Sequence, residues 1–184
     1  MDEYIVESIG ADDKAIMIDT MMKNYGQDIL QLVYSYVKNQ TIAEDLTQDI
    51  FIKCYRNLHT YRKKAKLKTW LWSIAINHCK DYLKSWYNKN VVLSNEVLDS
   101  EFDEANQLES KVIQQDEDDR LVAHVMSLSV EFREVIYLFY FEEMPIKEIA
   151  SVTGINSNTV KTRLRRAKQL LKEHGYLPKI FIIA

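Results

Sequence analysis

The chain has 184 residues, 47% of them hydrophobic, with four Gly, two Pro, two Cys and a formal net charge of −3. That length suits one domain or two small ones, the sparse Gly and Pro suit helices, and no apolar run approaches the roughly 18 residues of a membrane span. Cys54 and Cys79 lack a CxxC or CxxH partner, so neither a disulfide frame nor a metal site is expected, and no cofactor is implied. The acidic start Met1-Asp2-Glu3-Tyr4 lacks the basic flank of a secretory leader, and the expected setting is a reducing cytoplasm.

The small net charge conceals segregation. Residues 1–90 carry 13 basic and 11 acidic side chains, residues 91–120 carry 2 and 10, and residues 121–184 carry 9 and 6. Two mildly basic parts flank an acidic one, a layout compatible with a polyanionic partner at either end.

Helical periodicity covers 11–39 first. A second helix is expected over 42–58, opened by a capping box in which Thr41 caps and Glu44 reaches back. Ala43, Leu46, Ile50, Cys54 and Leu58 would face its core. Asp45, Gln48, Asp49, Ile52 and Arg56 lie on the other side, where an apolar Ile52 among polar neighbours suits a protein-docking surface; a lone exposed apolar residue is also common.

The segment 61–68 is densely basic, with Arg62, Lys63, Lys64, Lys66 and Lys68. A third helix follows, over 68–87. Leu71, Ile74, Ala75, His78, Tyr82 and Trp86 recur at three- and four-residue steps as its core stripe, which makes His78 a core histidine. Trp70, Ser73, Asn77, Lys80 and Lys84 follow the same period on the opposite face. An aromatic and an amide on a basic helix suit single-stranded nucleic acid, where bases stack and cations track the backbone. A core Trp pair beside a solvated basic face fits the same residues equally well.

Residues 91–116 are acidic and weakly apolar, and read either as a tether or, over their second half, as an exposed acidic helix. Periodicity resumes at 118 and runs to 174. Pro145 suits a first helical position, the short helix 146–152 follows, and Thr153-Gly154-Ile155 makes a turn in which Gly154 is free to take positive φ. Ser157 is the expected N-cap of the next helix. On that helix Val160, Leu164, Ala167 and Leu171 form one apolar stripe, with Asn158, Thr162, Arg165 and Arg166 opposite and Lys161 on their flank. This is the layout of a helix-turn-helix: the apolar stripe seats the second helix on the first, its N-terminal polar residues reach base edges, and later cations hold phosphates. A surface helix with a solvated basic face would show the cations without the turn and cap.

Three series of residues resemble region 2 of bacterial sigma factors of the extracytoplasmic-function group of the sigma-70 family. They are Ala43-Glu44-Asp45-Leu46-Thr47-Gln48-Asp49-Ile50-Phe51, Lys68-Thr69-Trp70-Leu71-Trp72-Ser73-Ile74-Ala75-Ile76-Asn77, and Asp81-Tyr82-Leu83-Lys84. The segments Arg133-Glu134-Val135-Ile136-Tyr137-Leu138, Ile146-Lys147-Glu148-Ile149-Ala150, Gly154 and 159–167 resemble region 4 of the same group. The likeness implies an all-α chain of two small helical domains: a region 2 bundle at 10–90 and a region 4 helix-turn-helix at 118–175, joined by an acidic linker at 91–117 and followed by an apolar tail at 176–184. It implies a non-enzymatic promoter-specificity subunit with core RNA polymerase, promoter DNA and an anti-sigma factor, often membrane-tethered, as partners. Asp45, Gln48, Asp49 and Ile52 would dock on polymerase. Lys66, Lys68, Trp70, Ser73, Asn77, Lys80, Asp81 and Lys84 would open and read the minus-ten element. Asn158, Thr159, Lys161, Thr162, Arg165 and Arg166 would read the minus-thirty-five element, and the acidic linker would thread the polymerase's RNA exit path.

The chain departs from the group at Lys84, where many relatives carry Arg, and in its apolar tail, Tyr176-Leu177-Pro178-Lys179-Ile180-Phe181-Ile182-Ile183-Ala184. Two other functions fit parts of the sequence. A DNA-binding regulator needs only the C-terminal module and leaves the faces of the second and third helices unexplained. A nucleic-acid-processing enzyme could use the basic stretch 61–84, but no nucleophile–base pair or phosphate-cradling loop accompanies it.

Overall fold

The computed structural model describes residues 11–61, 66–93 and 117–173, and no strand occurs among them. The chain divides into two compact units, Met1–Tyr82 and Leu83–Ala184. Residues 62–65, which include the basic Arg62, Lys63 and Lys64, most of the acidic linker and the apolar tail lie outside the described residues.

In the first unit, α1 (Ala11–Val37) packs along α2 (Gln40–Asn57), and a 3-10 turn (Leu58–Thr60) leads towards α3 (Leu67–Leu93), of which the part up to Tyr82 belongs to this unit. The reversal between α1 and α2 takes only two residues. Lys38 adopts the left-handed conformation at φ 53 and donates its N–H to the Tyr34 carbonyl at 2.9 Å, closing α1. Asn39 then caps α2, its Oδ1 accepting from the Ile42 N–H at 3.0 Å. The expected capping box is therefore corrected: Thr41 lies inside the helix, and Glu44 Oε1 accepts from Gln40 Nε2 at 2.6 Å instead. Asn39 takes the cap because it is the first residue in extended geometry after the reversal.

The expected inner side of α2 is buried in full, with Phe51 added. On α3 the buried residues are Leu71, Trp72, Ala75, Ile76 and Cys79, so the stripe is rotated from the expected one. Ile74, His78, Tyr82 and Trp86 are only half-buried. Apolar residues occur on both flanks of this helix, and the large Trp72 ring, packed edge-on against Tyr25 of α1 at 5.6 Å, decides which flank goes inward. The helix also runs past Tyr87 to Leu93, into the segment expected to start the linker.

In the second unit, α4 (Glu117–Ser127) and α5 (Val130–Ile136) precede a π-helical turn (Tyr137–Phe141), then α6 (Ile146–Thr153) and α7 (Ser157–Glu173). The π turn is closed by the Glu142 N–H on the Tyr137 carbonyl at 3.1 Å. Arg133, 4% exposed, donates from Nη1 to the Met126 carbonyl at 2.7 Å, tying α5 to the end of α4. Val135, Leu138, Ile149 and Val152 form the core on which the α7 stripe Val160, Leu164, Ala167 and Leu171 is buried.

Pro145 is extended and stands at the N-cap of α6 rather than inside it, its carbonyl accepting from the Glu148 and Ile149 N–H groups. Gly154 takes φ 74 and closes the helix with its N–H on the Ala150 carbonyl. Asn156, not Ser157, caps α7: its Oδ1 accepts from the Thr159 N–H at 2.8 Å and from the Thr159 hydroxyl at 3.1 Å.

Candidate docking and nucleic-acid surfaces

Each expected functional residue on α2 is exposed. Asp45, Gln48, Asp49 and Ile52 recur at three- and four-residue steps, which places them on one face, and Ile52 is 48% exposed. Tyr55, 43% exposed, continues that face one turn further. Sequence reasoning missed Tyr55, although one more three-residue step from Ile52 reaches it. An acidic rim around an exposed Ile and Tyr suits a partner that brings cations at its edge and an apolar contact at its centre.

Behind this face His78 departs from its expected place on the core stripe. Its Nδ1 lies 2.8 Å from the Lys53 ammonium, and its Nε2 lies 3.9 Å from Asp49 Oδ2. Nε2 is buried without a hydrogen-bond partner. Burial first, and the Lys53 charge second, hold the imidazole below its usual pKa of 6.5; Asp49 and Asp81 oppose them.

Along α3, Asn77, Asp81 and Lys84 are exposed, while Trp70, Ser73 and Lys80 are half-buried. The two tryptophans of the pair have parted. Trp72 is core, and Trp70 stays partly accessible with its ring 5.6 Å from that of Tyr61, tilted by 50°. Lys66 is exposed; the half-buried Lys68 places its ammonium 4.9 Å over the Trp72 ring, so its stem and charge also serve the fold. A helix carrying an accessible indole, an exposed amide and cations on one side presents groups that can stack on bases and hold phosphates.

On α7, Asn158, Lys161, Thr162, Arg165 and Arg166 are exposed and Thr159 is half-buried. Asn156, Ser157, Asn158, Thr159, Thr162 and Arg163 line an open cleft of about 500 Å³ at the start of the helix. The Asn156 cap fixes the first turn, so the groups that would meet base edges are held by a closed backbone. Arg163 was not among the expected site residues. It turns towards α5, with Nη2 3.0 Å from Glu131 Oε2 and Nη1 3.6 Å from the buried Glu134 Oε2. It thus fixes the rotation of α7 about its own axis, leaving Arg165 and Arg166 on the outer face.

Among the described residues no group of three or more His, Cys, Asp or Glu could hold a metal ion, and no helix is long and apolar enough to cross a membrane. Cys54 and Cys79 are both buried, and burial pushes the Cys54 thiol up to about 12, which makes it a poor nucleophile.

The family model for sigma-70 region 2 matches residues 21–87, and the model for sigma-70 region 4 matches residues 119–171. The chain is 31% identical to the ECF RNA polymerase sigma factor SigM of Bacillus subtilis over 155 residues, covering 84% of this chain and 93% of that one. It is 33% identical to the RNA polymerase sigma factor SigV of the same organism, covering 86% of this chain and 90% of that one. The fold is shared with the sigma factor RpoE of Bartonella quintana, solved with the anti-sigma factor NepR, at a TM-score of 0.68 and 20% identity, covering 90% of this chain and 96% of that one. It is shared too with CnrH, solved with the cytosolic domain of CnrY, at a TM-score of 0.63 and 22% identity, covering 89% and 90%.

Proposed function

Because the chain belongs to the extracytoplasmic-function sigma factors of the sigma-70 family, we propose that it binds core RNA polymerase and directs promoter-specific initiation of transcription from the surfaces described above. The observation that carries this reading is the ordered pair of family matches, region 2 at 21–87 and region 4 at 119–171, each carrying an outward polar face. The α2 face of Asp45, Gln48, Asp49 and Ile52 docks on the polymerase clamp. The α3 face, with Trp70, Ser73, Asn77, Lys80, Asp81 and Lys84, and the basic segment with Lys66 and Lys68, opens the minus-ten element and holds an unpaired base. On α7, Asn158, Thr159, Lys161, Thr162, Arg165 and Arg166 grip the minus-thirty-five element in duplex form.

The domain limits follow from the same reading: 10–90 for docking and melting, 91–117 for the linker through the RNA exit path, 118–175 for the upstream grip. The chain performs no catalysis of its own and works in the cytoplasm beside the polymerase. Control by a membrane-tethered anti-sigma factor completes the reading; it is supported by one fold neighbour solved with the anti-sigma factor NepR and another solved with the cytosolic domain of CnrY. Run-off transcription with core polymerase tests the function. Asn77→Ala and Lys80→Ala are expected to leave closed-complex formation within about twofold and to lower open-complex formation about tenfold or more, since they act on a strand exposed only after melting. Affinity capture from unstressed cells tests the inhibitor, and recovery of polymerase subunits alone would contradict that part.

A further inference from the structure

Asp49 and Lys53 stand four residues apart on α2, the spacing at which a carboxylate and an ammonium pair by default on a helix surface. They do not pair. Lys53 reaches across to α3 and donates to His78 Nδ1 at 2.8 Å, while the Asp49 side chain remains 62% exposed. We infer that His78 is a positioning residue for polymerase docking, one that holds Lys53 away from Asp49 and so keeps the Asp49 carboxylate available to a basic partner surface. The inference rests on the docking role proposed for the α2 face.

The chemistry of the pair is restrictive. An ammonium is a donor only, so Nδ1 must accept, and the neutral ring carries its proton on Nε2. That N–H is buried without an acceptor in bonding range, and Asp49 Oδ2 at 3.9 Å is the nearby carboxylate. The charged groups around the ring are Lys53 and Asp49 from α2 and Asp81 from α3. Protonation of His78 reverses the arrangement. Nδ1 can no longer accept, the imidazolium repels Lys53, and both cations turn to Asp49. The acidic face then loses a charge to its own neighbours before polymerase arrives.

The test is the affinity of the full chain for core polymerase between pH 7.5 and 5.5, for wild type, His78→Gln, His78→Leu and the double variant His78→Leu with Lys53→Met. Wild type is expected to lose affinity roughly three- to tenfold on acidification, with a midpoint below 6.5, as one linked proton allows. His78→Gln keeps an acceptor for Lys53 and is expected to bind like wild type at pH 7.5 with no such loss. His78→Leu frees Lys53 at every pH and is expected to bind roughly three- to tenfold more weakly, without pH dependence. Removing the competing ammonium in the double variant is expected to restore affinity, which a merely structural role for His78 would not allow. Equal affinity of the single Leu variant and the double variant, or a Gln variant as weak as the Leu variant, overturns the inference. A wild type that binds no polymerase at pH 7.5 overturns the sigma-factor reading and this inference with it.

Discussion

Asn156 sits where stability and DNA binding can be pulled apart. Its Oδ1 takes both the Thr159 N–H, at 2.8 Å, and the Thr159 hydroxyl, at 3.1 Å, at the start of a 17-residue helix. Asn156→Ala removes the acceptor and is expected to cost about 1 kcal/mol, the usual loss for a helix cap. The loss is local, because the four α7 stripe residues remain buried and hold the rest of the helix. A cost of about 1 kcal/mol raises the open population of the first turn about fivefold, so amide exchange at Val160, whose backbone bond to Asn156 remains, should rise by about that factor, and Thr159, which loses its acceptor, should rise by at least as much. Asn156→Asp keeps the acceptor and adds a negative charge at the positive end of the helix dipole, which stabilises by about 0.3–1 kcal/mol. The same charge lies in the cleft lined by Asn158, Thr159 and Thr162, where a phosphate backbone would approach. The two variants should therefore diverge. The Ala variant loses exchange protection and minus-thirty-five-dependent transcription together; the Asp variant keeps or gains protection and still loses transcription. Hydrogen exchange followed residue by residue, beside transcription from promoters with and without a minus-thirty-five element, reads both. Equal protection in wild type and the Ala variant, or full transcription by the Asp variant, would mean that Asn156 plays neither part.

Backbone conformation supports two further expectations. An added Cβ at Gly154, φ 74, meets nothing within 4 Å, so Gly154→Ala should cost only the left-handed backbone penalty less the unfolded-chain gain, a net of about 1 kcal/mol in urea unfolding. Lys38, φ 53, is the reverse case: Lys38→Gly should stabilise the chain by up to about 1 kcal/mol, read as a higher urea midpoint. The lowered pKa of His78 means that the unfolded chain binds the proton more readily, so its contribution to stability is complete above about pH 6.5 and is lost as pH falls from there towards the folded value. Urea unfolding at pH 7.5 and 5.5 should show that loss in wild type and a smaller one in His78→Gln.

The α7 stripe was legible because four apolar residues share one face and polar residues fill the other. The outer face of α2 was legible for the same reason. The caps at Asn39 and Asn156 lie a residue or two before those the sequence favours, because neighbouring side chains are also competent acceptors and only the backbone turn selects one. The inner side of α3 is not legible in the sequence because Ile74 and Ile76 are equally apolar, and the packing of Trp72 on Tyr25 that decides between them joins residues far apart in sequence. The pairs Lys53 with His78 and Arg163 with Glu131 and Glu134 have no periodic signature. They exist only once helices are packed, and they set how the two legible faces are presented.

A docking face, a melting face and an upstream grip on one chain would make promoter choice by the polymerase depend on that chain. Run-off transcription by core polymerase and the purified chain, over a library randomised at both promoter elements, measures that dependence. Product is expected only when the chain is added, with selected bases at both elements and with Asn158→Ala or Arg165→Ala relaxing selection at the upstream one alone. Product that is absent, or equally abundant from every library member, would contradict that dependence.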